Sequence, residues 1–226
     1  RSTVCKCFVK DDAVSHYFRE NDYHQHFRSF IFGENKAMRC TGYIILKEMM
    51  LLLPFKLVEN EGFISVKDIE VSLRDADLSL FNIAIQFATL FVLFDPNVAD
   101  RFINNANFME MLLNSEAAFD SKTKIELTSF FCALARYSTC YSPYFCRFVF
   151  FFVEWGQNMD SMYKMQVIKV FTLIFNFFET HEVPLEFISS FIESGGLEFV
   201  DDCTADDYQA LQITSRPLAD SLHQWL

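Results

Sequence analysis

Leu46, Leu90, Leu134, Ile174 and Leu222 follow one another at intervals of 44, 44, 40 and 48 residues. Each has an apolar residue three positions before it (Tyr43, Phe87, Phe131, Phe171, Ala219) and another three positions after it (Met49, Leu93, Tyr137, Phe177, Trp225). Apolar residues spaced by three belong to one side of a helix. The column therefore predicts a long helix at the close of each of about five units of roughly 40–45 residues.

Three further patterns keep the same phase. Corners of the form LVENEGF (57–63), FINNANF (102–108) and FIESGGL (191–197) place two apolar residues before a polar, Gly- or Asn-containing break, and then resume with an apolar residue, as where one helix ends and another begins. Helix-capping side chains (Asp77, Asp120-Ser121, Asp160-Ser161, Asp206-Asp207) precede the last four column residues by 13 to 16 positions. Pro54, Pro96, Pro143 and Pro184 follow the first four by 6 to 10. The predicted closing helices span 35–53, 77–94, 121–138, 161–179 and 206–225, with one or two shorter helices between them. Pro217 should kink the last or restart it at Ser215. CRFVFFFVEW (146–155), with five aromatics in ten positions, reads as the single helix that precedes the fourth closing helix, capped by Ser142 and apolar all round because it packs on three units.

Units of this length, with a glycine corner before a second helix and a long closing helix, resemble the armadillo repeat, and the compressed fourth unit resembles the related HEAT repeat. FIESGGLEFVDDCTADDYQALQ matches the armadillo layout best, and DPNVADRFINNANFMEMLLNSEAAFDSKTKIELTSFFCALARYS (95–138) is similar, with Asn105-Ala106-Asn107 in place of the glycines. The resemblance implies an all-α, right-handed α-α superhelix: a tail over 1–13, then one domain over 14–226 with units at about 14–53, 54–95, 96–141, 142–183 and 184–226. It also implies a concave face of closing helices that binds extended segments or whole domains of other proteins. Peptide-binding members carry an asparagine near the end of each closing helix. The equivalent positions here hold Glu48, Val92, Arg136, Asn176 and Gln224. Only Asn176 keeps the family residue, which argues against a regular asparagine ladder. Glu48, Arg136, Asn176 and Gln224 remain the candidate partner-binding residues.

Composition agrees with helices. Six glycines and five prolines in 226 residues are too few for the turns of a sandwich or barrel, and a 51% hydrophobic chain can bury a large core. The formal charge of −11 disfavours nucleic acid and suits a basic or extended segment of another protein. Seven cysteines, an odd number without a framework, read as reduced thiols of the cytoplasm or nucleus. LSLFNIAIQFATLFVLF (78–94) is uncharged, but it is short for a span, contains Asn82, Gln86 and Thr89, and is flanked by Asp77 and Asp95, so no membrane span is expected. With neither an initiator Met nor a targeting signal, the chain reads as a fragment.

Candidate chemistry is sparse. Cys5, Cys7, His16, His24 and His26 are the only cluster of metal-ligand types, and their spacing is not that of common zinc sites. Cys140, Cys146 and Cys203 lack a neighbouring His, and His181 fits an interaction with a helix C-terminus. No phosphate loop or dinucleotide fingerprint is present. The expectation is a non-enzymatic interaction scaffold without cofactor or metal. The alternatives are a regulatory segment of a larger enzyme and a membrane-associated helical protein.

Overall fold

The computed structural model describes residues 29–52, 64–74, 77–115, 118–138, 144–179, 181 and 185–225, and among them every regular element is a helix. The predicted closing helices are α1 (Lys36–Leu52), α3 (Leu78–Phe94), α6 (Ser121–Tyr137), α8 (Ser161–Phe178) and α11 (Gln209–Trp225). Between them lie α2 (Val66–Leu73), α4 (Asn97–Ile103), α5 (Ala106–Asn114), α7 (Tyr144–Gln157), α9 (Leu185–Glu193) and α10 (Gly196–Thr204). The chain divides into two units between Arg101 and Phe102.

In the first unit α1 and α2 both pack on α3. Asp77 caps α3 by accepting from the amides of Ser79 and Leu80, each at 3.0 Å, and pairs with Lys36 in the first turn of α1. Ser65 and Asp68 form a reciprocal capping box on α2. The buried Tyr43 hydroxyl donates to Ser72 Oγ at 2.7 Å while its ring meets Phe87 at 5.6 Å, so one side chain joins all three helices.

In the second unit α6 packs on α8 and α8 on α11, while α7 lies against α5, α8, α9 and α10. Asp120 and Asp160 cap α6 and α8, accepting from the amides of Thr123 (2.8 Å) and Tyr163 (2.9 Å). The FINNANF and FIESGGL corners are built differently. Asn105 caps α5 through its side chain, accepting from Phe108 N at 3.1 Å, whereas Gly195 turns the chain at φ 75°, a left-handed conformation that favours glycine. The LVENEGF corner, Ser142, Pro54, Pro143 and Pro184 lie outside the described residues.

Aromatic rings fill this second core. Phe131 touches Phe148 at 4.1 Å and Phe152 at 5.4 Å, Phe152 leads to Phe171 at 6.5 Å, and Phe171 meets Phe191 at 5.2 Å and Phe199 at 6.3 Å, mostly edge to face. The aromatic segment is a helix, as expected, but it is not buried all round. Phe145, Phe148, Phe152 and Trp155 are buried, while Arg147, Phe150, Glu154 and Gln157 form an exposed stripe, with Phe150 41% exposed. The helix packs on its neighbours along one broad face, and among the described residues no helix covers the stripe opposite.

Other expectations need correction. The first two members of each column triplet are buried, apart from half-buried Leu90. The third drifts outward: Leu93 is 41% exposed and Tyr137 and Phe177 are half-buried. Residues six apart on a helix are rotated by about 120°, so a three-residue column leaves the core side within two steps. The last helix runs through Pro217 without restarting, with the proline on its exposed side. Asp206 and Asp207 precede that helix rather than open it.

Candidate functional site

On α6 the positions opposite the core are Lys122, Ile125, Ser129, Cys132 and Arg136; on α8 they are Met162, Met165, Lys169, Thr172 and Asn176. All ten are exposed or half-buried. Alternating steps of three and four residues keep each set on one side of its helix, as a stripe opposite the buried one. On α11 the corresponding stripe runs through Ile213, Pro217, Asp220 and Gln224, all exposed. Because the three helices pack in sequence, the outer face of the second unit carries Arg136, Asn176 and Gln224 at the ends of successive helices. A second row, Ile125, Met165 and Ile213, is apolar.

The helices are held in register by polar contacts from the middle of α6 and from the first half of α8. The hydroxyls of Thr128 and Tyr163 bond at 2.8 Å in the interior, and Ser129 Oγ approaches Gln166 Oε1 at 3.4 Å between α6 and α8. Asp206 accepts from Ser161 Oγ at 2.9 Å and lies 3.3 Å from Lys164 Nζ, tying the start of α8 to the chain entering α11. Burial pushes the Tyr163 hydroxyl well above its ordinary pKa.

Asn176 lines a cleft of about 230 Å³ between α8 and α11, together with Thr172, Glu179, Pro217 and Ser221. Arg136, one turn further along α6, and Lys169 on the neighbouring α8 both act on half-buried Cys132. Burial pushes this thiol up, and the two cations pull it back only in part. Cys203 is pushed up to about 12 by burial. Both thiols are thus held in the protonated form, which is poorly nucleophilic.

The sequence-derived site residues separate into two groups. Arg136, Asn176 and Gln224 are exposed on neighbouring helices of one unit, whereas Glu48 is half-buried on α1 of the other. Val92, at the equivalent position of α3, is 0% exposed. α3 buries Phe81, Ile85, Ala88 and Val92, the side that faces solvent on α6 and α8, so it contributes nothing to such a row. Sequence reading missed Lys169, whose signal was its place in the 3–4–3–4 stripe that ends at Asn176. His181 accords with expectation: its Nδ1 lies 2.9 Å from the Phe177 carbonyl at the end of α8 and its ring stacks on Phe177 at 3.9 Å. Cys5, Cys7, His16, His24 and His26 lie outside the described residues, and among those described no cluster of His, Cys, Asp and Glu is arranged to hold a metal. No helix of the described residues is long and apolar enough to cross a membrane.

No protein-family model matches the chain, and no curated protein matches it. Among solved structures, the chain is similar to the crystal structure of an engineered protein from the Northeast Structural Genomics Consortium, at a TM-score of 0.72 and 11% identity, over 97% of this chain and 87% of that one. The likeness is one of all-helical fold.

Proposed function

We propose that the chain is an armadillo/HEAT-like helical-repeat scaffold without catalytic activity of its own, winding as a right-handed superhelix. It holds a segment of a partner protein across the outer face of its closing helices, the face that would be concave. The observation that carries this reading is the row Arg136, Asn176, Gln224 at the ends of three successively packed helices, beside the parallel apolar row Ile125, Met165, Ile213. An extended polypeptide offers side chains and backbone amides at a regular rise, so matched rows of hydrogen-bonding and apolar groups on a rigid surface suit it.

The spacing of the interhelix contacts supports a repeat. Lys36 pairs with Asp77 41 residues on, and Lys164 with Asp206 42 residues on, in each case joining the first turn of one closing helix to the start of the next. The free thiols of Cys40, Cys132 and Cys203 suit a reducing compartment, the cytoplasm or nucleus. The test is affinity capture from the native cell with the unaltered chain and with Asn176→Ala/Gln224→Ala. A partner retained by the first and lost by the second, at unchanged thermal stability, is the expected result; equal retention by both would place binding elsewhere.

A further inference from the structure

The net charge of −11 suggests a basic partner, but charge is not spread evenly over the second unit. α8 contains Lys164 and Lys169 and no carboxylate, and α6 contains Lys122, Lys124 and Arg136 against Glu126 alone. Acidic residues are denser on the shorter helices: Glu186 and Glu193 on α9, Glu198, Asp201 and Asp202 on α10. Within the outward stripes of α6 and α8 the only charged residues are Lys122, Arg136 and Lys169, all exposed. Arg136 and Lys169 act together on Cys132 from neighbouring helices, and neither forms an ion pair with a carboxylate of the described residues. On the other side of α8, Glu179 at the cleft and Asp220 on α11 are acidic.

Resting on the reading above, we propose that the α6–α8 half of the face takes an acidic stretch of the partner polypeptide, its carboxylates against Arg136 and Lys169 and its apolar side chains on Ile125 and Met165. Two cations without an ion pair among the described residues keep their full attraction for a ligand, because no such pair has to be broken first. The repulsion from a chain of net charge −11 acts at long range and is screened over about 8 Å at physiological salt, whereas a carboxylate seated between the two cations lies well inside that distance. Contact charge, rather than total charge, therefore decides which segment binds.

Two fluorescein-labelled peptides, alternating Glu-Leu and alternating Lys-Leu at equal length, distinguish the possibilities by anisotropy titration against the whole chain. The Glu-Leu peptide should bind the more tightly. Its affinity should fall roughly tenfold or more in Arg136→Glu/Lys169→Glu, a loss of about 1.4 kcal/mol. It should rise in Asp220→Lys and stay unchanged in Arg147→Glu, whose cation lies on α7 paired with Glu110. Circular dichroism of each variant shows whether it is folded, and the single variant Lys169→Gln should give a smaller loss in the same direction. Preference for the Lys-Leu peptide, or Glu-Leu binding indifferent to the double reversal, overturns the proposal. If in that case the Lys-Leu peptide is bound and lost on Asn176→Ala, the scaffold reading stands without it. Oligothymidylate or phosphatidylserine vesicles bound more tightly than the Glu-Leu peptide, and lost on the same reversal, would overturn both in favour of a polyanion surface.

Discussion

The Asp206 carboxylate accepts a hydrogen bond from the hydroxyl of Ser161, 45 residues earlier in the chain, at 2.9 Å. Its Oδ1 also accepts from the Tyr208 amide at 2.9 Å, and its Oδ2 lies 3.3 Å from Lys164 Nζ. One side chain thus satisfies an amide at the turn into α11 and clamps the first turn of α8. Asp206→Ala removes both roles and should destabilise the protein by about 1–2 kcal/mol, measurable by urea unfolding. A loss confined to a few tenths would show that the clamp is a solvated surface pair.

The same carboxylates set the acid limit of stability. The Tyr208 amide above all, then Ser161 and Lys164, holds Asp206 below the ordinary carboxylate range; Thr123 does so for Asp120, and Lys36 and the Leu80 amide for Asp77. A depressed folded pKa means that the stabilisation is complete above the unfolded value of about 3.9 and is lost as pH falls through the lower folded value. Thermal midpoints should be level from neutral pH to about 5 and drop below about 4. Asp120→Asn should flatten that drop, and an unchanged acid slope in this variant would contradict the assignment.

Phe171 sits between Phe152, Phe191 and Phe199 and is 0% exposed. Phe171→Ala should cost about 3–5 kcal/mol, because three packed helices cannot collapse fully into the space of a ring. Phe177→Ala, one turn and a half further on at a half-buried position, should cost well under half as much. Denaturant midpoints of the two variants separate the core side of α8 from its edge.

A Cβ on Gly156 would lie 2.6 Å from Cε2 of Phe199, which is itself buried. The gain in helix propensity from Gly156→Ala is about 1 kcal/mol, and forcing the ring aside costs about 1–3 kcal/mol. Net destabilisation is expected, and Phe199→Leu in the same chain should relieve it. Additive effects of the two substitutions would refute the contact.

Gly195→Ala should cost about 1–2 kcal/mol for holding a Cβ at φ 75°, and Gly195→Asn less, since asparagine tolerates that region better. Equal losses would point to the space around the residue instead of its backbone angle.

How much could be read before the coordinates were known varied along the chain for physical reasons. The closing helices were legible to within three residues at each end, because caps such as Asp77, Asp120 and Asp160 and the three-to-four-residue apolar rhythm are local: each acts within one turn of the backbone that it organises. The corners at Asn105 and Gly195 were legible on the same ground, although one works by side-chain capping and the other by backbone freedom. Which side of a helix faces its neighbours is not a local property. Phe150 and Phe151 look alike in sequence, yet Phe150 is exposed because, among the described residues, no helix lies over its side of α7. Val92 sits at the same step of its helix as Arg136 and Asn176, yet α3 buries the side that α6 and α8 present to solvent. The sequence by itself determined the closing helices, their order and the caps of three of them, at Asp77, Asp120 and Asp160. The tertiary structure alone decided that Arg136 and Lys169 act on one thiol from two helices and that Asn176 borders a cleft, since those relations join residues on different helices through packing that no single segment encodes.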